Sequence, residues 1–229
     1  MKKLFGKPEP AWLISAVMAG ALLAAAIFVP LWRMELIAPQ YPSGLIMYAY
    51  GDRFEGETDG YYKGFDAVKE INALNHYIGM KPIEKVTEMK LFIPGMLATV
   101  AGLIAVSFIA WHKKLFRGLM IAAVWFLPIF FVADLQYWLY NYGHSMDPRA
   151  ALNTGDITPK VLGSTKVWNF HSENSLQIGF FLMVLSALTI TLMPMAIRRA
   201  QAWRQQKAAS AGAPPATSVG ATAAHGETA

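Results

Sequence analysis

Two short stretches, INALNHYIGM at 71–80 and NYGHSMDPRAAL at 141–152, each set a histidine close to a methionine just outside an apolar segment. Imidazole suits copper and zinc, whereas thioether sulfur selects Cu(I), so the two donor types together point to copper. His76 and Met80, four residues apart, can reach one ion from a single helical turn. His144 and Met146 follow the end of another apolar segment and His171 precedes a third, so three of the five histidines gather at one level. The candidate metal set is therefore His76, Met80, His144, Met146 and His171. Taken singly, each has a bland reading: a histidine bonded to a loop carbonyl, or a methionine filling a gap. Their accumulation is what favours metal.

The elements that must position these residues read as membrane spans. Four apolar stretches, 11–31, 91–112, 116–140 and 175–197, reach or approach the roughly 20 residues needed to cross a ~30 Å hydrocarbon core. The first ends at Val29-Pro30-Leu31-Trp32 without a small-x-small cleavage site, so it reads as a retained anchor. The expected fold is all-α and integral to the membrane, with four transmembrane helices. Residues 32–90 and 141–174 form a cap of mixed helical and irregular structure, 1–10 and 113–115 are a short terminus and a turn, and 198–229 is a tail, disordered from about 208.

Lys and Arg orient these spans. The side holding 1–10, 113–117 and 198–229 carries ten basic and two acidic residues, or +8, and the other carries ten and twelve, or −2. Both termini are then cytoplasmic and the large loops periplasmic, in a bacterial inner membrane. The overall +5 charge is thus a topology signal, and nucleic acid is not implied. Trp12, Trp32, Trp111, Trp138 and Trp203 fall near the expected span ends, where amphipathic rings favour the headgroups.

Within 32–90, residues 33–62 are rich in Pro, Gly and Tyr and read as irregular or short-strand structure with turns. A helix is expected over about 65–81. Val68, Ile71, Leu74 and Ile78 share one face, Asn72, His76 and Met80 lie along the flank, and Pro82 ends it. Asp134 is the one acid inside an apolar stretch. A carboxylate there must face the bundle interior, be protonated or find a partner, so it is either a structural acceptor or a proton or ion relay. The complete lack of cysteine removes thiolate sites, covalent haem attachment and disulfides. No Walker loop, nucleophile elbow or HExxH motif is present, which argues against an enzymatic activity of its own.

PLWRMELIAPQYPSGL (30–45), INALNHYIGMKPI (71–83), LYNYGHSMDPRAAL (139–152) and TPKVLGSTKVWNF (158–170) resemble a family of small bacterial four-helix membrane proteins. Some members of that family look to be encoded beside nitrous oxide reductase and its maturation factors. The resemblance covers both outer loops, and LNHYIGM is its sharpest part. It implies an accessory role in denitrification around a periplasmic copper enzyme or its maturation proteins, as copper delivery or as support of electron supply. It also marks Asn75, His76, Tyr77, Gly79, Met80, Tyr142, Gly143, His144 and Asp147 as functional positions.

Three functions compete at this stage. One is a copper-handling assembly factor whose outer His and Met groups receive or pass Cu(I). Another is an electron-transfer subunit binding quinol or haem b, with His144 and His171 the one histidine pair at similar depth and His112 on the opposite side. The last is a structural anchor that holds soluble partners at the membrane through residues 32–90.

Overall fold

The computed structural model describes residues 9–57, 66–83, 89–109, 113–152 and 155–212. Helix α1 (Pro10–Ala26) begins with proline in its first turn, where the missing N–H is not needed. Strands β1 (Trp32–Ala38), β2 (Tyr41–Ala49) and β3 (Phe54–Gly56) follow, then helix α2 (Ala67–Tyr77). Helices α3 (Met89–Ile109) and α4 (Lys114–His144) precede strands β4 (Gly163–Val167) and β5 (Phe170–Leu176), and helix α5 (Ile178–Gly212) closes the order.

The strands form one antiparallel sheet in the order β3-β2-β1-β5-β4. Its two faces follow the period of two along β1. Trp32 and Met34 are buried and register beside Ala49 and Met47 of β2, and Leu36 registers beside the buried Leu45. Arg33 and Glu35 alternate with them onto the other face and pair at 2.7 Å. The buried face joins Leu127, Phe131, Leu135, Leu139 and Tyr142 of α4 in one apolar cluster, so the sheet caps one end of the helices. A second cluster, with Trp12, Leu103, Val124 and Ile190, fills the bundle toward its other end. Small residues let α1 and α5 approach closely there: Ser186 Oγ donates across to Ala19 O at 2.7 Å.

This architecture corrects the all-α expectation in two respects. The cap is a five-stranded sheet rather than a mixed helical and irregular loop, which makes the fold α plus β. Residues 33–62, expected to be irregular or short-strand structure with turns, carry β1 from Trp32 together with β2 and β3, and β4 and β5 of the second loop complete the sheet. Furthermore, the stretch 11–31 is not one span. Helix α1 is 17 residues long, with a last turn tightened by Ile27 N–H to Ala24 O and Phe28 N–H to Ala25 O, both 3.2 Å. Pro30 keeps Val29 out of the helical region and supplies no donor. Among the described residues three helices, not four, are long and apolar enough to cross a membrane: α3, α4 and α5 over Ile178–Ala208. Trp32, expected at a span end, is fully buried, its indole N–H donating to Val161 O at 2.7 Å. Finally, α5 runs to Gly212, past the point near 208 where order was expected to stop, while 213–229, with His225, lie outside the described residues.

Candidate functional site

Helix α2 lies on the buried face of the sheet. Asp66 caps its start by accepting from Lys69 N, Val68 and Ile71 are buried, and Tyr41 Oη of β2 donates to Glu70 at 2.5 Å. The helix then ends in a double hydrogen bond. Gly79 N–H reaches His76 O at 3.1 Å and Met80 N–H reaches Asn75 O at 2.7 Å, with Gly79 at φ +85°. This is the Schellman pattern, which requires a residue that enters the left-handed region without strain. The NHYIGM run is therefore first a helix terminator, and both His76 and Met80 belong to that turn. Asn72, on the same flank, accepts from Ile83 N at 2.9 Å and holds the departing chain.

The second motif docks onto that terminator through its backbone. Asp147 N–H donates to Gly79 O at 2.9 Å and Leu152 N–H to Tyr77 O at 3.2 Å. A Cβ on Gly79 would stand 2.9 Å from both Asp147 N and Asp147 O, so only glycine fits. Gly143 is tighter still. Its Cβ would stand 1.9 Å from Ile157 O, while Gly143 O accepts from Ile157 N at 3.0 Å. Tyr142 is buried against the Trp138 ring, and the Asp147 carboxylate accepts from Arg149 N at 2.9 Å.

Between the two motifs opens a cleft of about 550 Å³, walled by His76, Met80 and Lys81 on one side and Ser145, Asp147 and Arg149 on the other. Met80 also borders an apolar cavity of about 90 Å³ beneath the sheet, together with Met34, Leu74 and Phe170. Met80 thus lines both an open cleft of mixed polar and apolar character and an apolar cavity.

The remaining candidates fall elsewhere. His144 turns back along α4, stacked on Tyr140 at 3.9 Å with Nδ1 2.9 Å from Tyr140 O. Met146 does not line the cleft. His171 lies on β5 at a position that alternates away from Phe170 and Ser172, which border the apolar cavity, and its Nε2 is 3.3 Å from Glu173 Oε1. It therefore occupies the opposite face of the sheet. The structure brings His76 and Met80 to one site, and His144, Met146 and His171 do not join them there. Among the described residues no group of three His, Cys, Asp or Glu side chains gathers around a common point. Asp134 borders a small void with Gly51, Met89 and Phe130, well away from the cleft.

Some residues that hold the fold were not among the sequence candidates. Gln136, inside the apolar run of α4, donates to Pro159 O and accepts from Val161 N, both at 3.1 Å, and so fixes the segment that leads to β4. A lone amide in an apolar span was the available clue. At the far end of the bundle Glu9 receives Arg198 at 2.5 and 2.8 Å and Arg117 at 2.9 Å, with the Arg117 guanidinium 5.0 Å over the Trp12 ring. Burial pushes the Glu9 carboxyl upward, but its bonds and charge contacts with Arg198 and Arg117 outweigh this and hold it below the ordinary 4.5.

Compared with known proteins, the chain matches no family model and no curated sequence.

Proposed function

We propose that this chain is an accessory protein of the bacterial inner membrane whose cap handles Cu(I) as cargo for a periplasmic copper enzyme, such as nitrous oxide reductase, or for its maturation proteins. The observation that supports this reading is the sharing of one open cleft by His76 and Met80, one imidazole and one thioether held by the same helix terminator. Cu(I) accepts few, soft ligands. Two donors on an open wall hold the ion while leaving a position for a donor from an incoming protein, which is what transfer requires. The site is smaller than the five residues of the sequence reading, because His144 is engaged with Tyr140 and His171 lies across the sheet.

In this reading the cap faces the periplasm, and the end holding Glu9, Arg117 and Arg198 faces the cytoplasm, in accord with the +8 and −2 charge division. A reporter active only in the periplasm is then expected to work after Gly60 or Thr154 and to fail after Lys114 or Lys207. The reverse pattern would remove the site from the compartment where its cargo is proposed to be delivered.

The haem alternative requires two facing imidazoles. His144 and His171 do not supply them, and His112 lies outside the described residues. Competition of the purified chain against a Cu(I) chelator tests the copper reading. His76→Ala and Met80→Ala are each expected to weaken binding by more than the ~10–100-fold typical of supporting residues, while His171→Ala leaves it unchanged. Equal affinity in all four chains would leave the anchor reading in front.

A further inference from the structure

Helix α5 continues past the apolar bundle as an exposed arm. From Arg198 to Lys207 it carries four cations and no acid. Arg198 is engaged with Glu9, but Arg199, Arg204 and Lys207 extend beyond that contact and are exposed.

The register of the arm matters more than its charge. On the bundle, α5 turns a stripe of large apolar side chains outward: Leu188, Leu192 and Met195, the last two 56% and 54% exposed. Steps of three and four residues carry the same stripe onward to Arg199, Trp203 and Lys207. Each four-residue step drifts by about 40°, so the lipid-facing stripe passes to Arg199 and the cationic and aromatic face then turns onward through Trp203 and Lys207 to Arg204. Arg199 lies about 6 Å beyond Met195 along the axis, the depth of a headgroup layer, and Trp203 and Lys207 follow at about 12 and 18 Å. Pro194 stands just before this change and removes one helical hydrogen bond, the kind of position at which helices bend. Trp203 is 61% exposed, with the Lys207 ammonium 5.3 Å over its ring. An exposed indole flanked by cations, about two turns past a lipid-facing stripe, matches the chemistry of the bilayer interface.

We infer that residues 199–207 form a docking surface for the anionic phospholipid headgroups of the adjacent leaflet, with Arg199, Arg204 and Lys207 pairing to phosphates and Trp203 seated among the headgroups. This is independent of the copper reading, since it concerns the opposite end of the molecule and no residue of the cleft.

The chain has no cysteine, so Gln206→Cys places a single thiol on the arm of the full-length protein. An environment-sensitive dye at that thiol is read in nanodiscs of phosphatidylcholine with and without phosphatidylglycerol. Blue-shifted emission and shielding from an aqueous quencher are expected with phosphatidylglycerol, and both are lost in high salt. In the Arg199→Gln, Arg204→Gln, Lys207→Gln chain the ratio of docked to free arm is expected to fall about fivefold for each cation removed. The same dye exposure in both nanodiscs, or unaltered shielding in the triple variant, would overturn the inference. Equal shielding by short DNA added over phosphatidylcholine discs would also overturn it, by making the arm a general polyanion binder.

Discussion

The two ends of the helix bundle are held by different forces. At the capped end the decisive contacts are backbone to backbone: Gly79 O with Asp147 N, Gly143 O with Ile157 N, Tyr77 O with Leu152 N. At the other end three charged side chains, Glu9, Arg117 and Arg198, hold the helices together around Trp12. Backbone contacts with glycine at the crossing tolerate almost no added volume, whereas partly exposed ion pairs bend, screen and titrate. Rigid geometry thus stands where a ligand site is proposed, and adjustable geometry stands where the chain is proposed to meet a bilayer surface.

The largest effect is expected at Gly143. A methyl group there meets Ile157 O at a distance no relaxed structure allows. Gly143→Ala is expected to cost about 3 kcal/mol or more and to disorder the cap, read as a lower thermal midpoint in detergent. Gly79→Ala comes next. Left-handed strain contributes about 1–2 kcal/mol, and displacement of Asp147 adds to it. A wild-type midpoint for either variant would show that the backbone lock does not govern this end.

The opposite end should yield less. Glu9→Gln is expected to cost only about 1 kcal/mol, since Glu9, Arg117 and Arg198 all retain some solvent contact. Its pH dependence is the more telling measurement. The Glu9 carboxyl is depressed in the folded protein, so its stabilisation is present above the unfolded value near 4.5 and is lost as pH falls through the lower folded value. Thermal midpoints are expected to drop in that acid range, and Glu9→Gln to remove part of the drop. The smallest effect is expected at the tip of the β4–β5 hairpin. There Trp168, 60% exposed, takes the first turn position at φ +53°, a place suited to glycine. Trp168→Gly is expected to raise stability by roughly 0.5 kcal/mol or leave it level, because relief of left-handed strain is offset by the entropy of glycine.

How far the sequence foretold this arrangement depends on the kind of signal each region carries. Helix α2 was legible because Val68, Ile71 and Leu74 recur on one face, but it ends at Tyr77 through the Gly79 turn, short of the stop expected at Pro82. The sheet was only half legible: short strands were expected within 33–62, but β5 reads FHSENSL, too polar to show a buried face of its own, so nothing in 141–174 announced the strands that complete it. With β5 unseen, the alternation that turns His171 away from the cleft could not be inferred. The pairing of Gly79 with Asp147 was beyond reach as well, since a backbone contact between segments about 70 residues apart leaves no local periodicity. Glu9 was visible only as a lone acid among cations, not as their shared partner.

The central claim, that His76 and Met80 hold one Cu(I) together, is tested most directly by X-ray absorption on the copper-loaded chain. The expected spectrum contains both sulfur and imidazole nitrogen scatterers. In Met80→Ala the sulfur contribution should vanish while nitrogen remains, and in His76→Ala the reverse should hold. A copper spectrum free of sulfur in the native chain, or unchanged by Met80→Ala, would contradict the account.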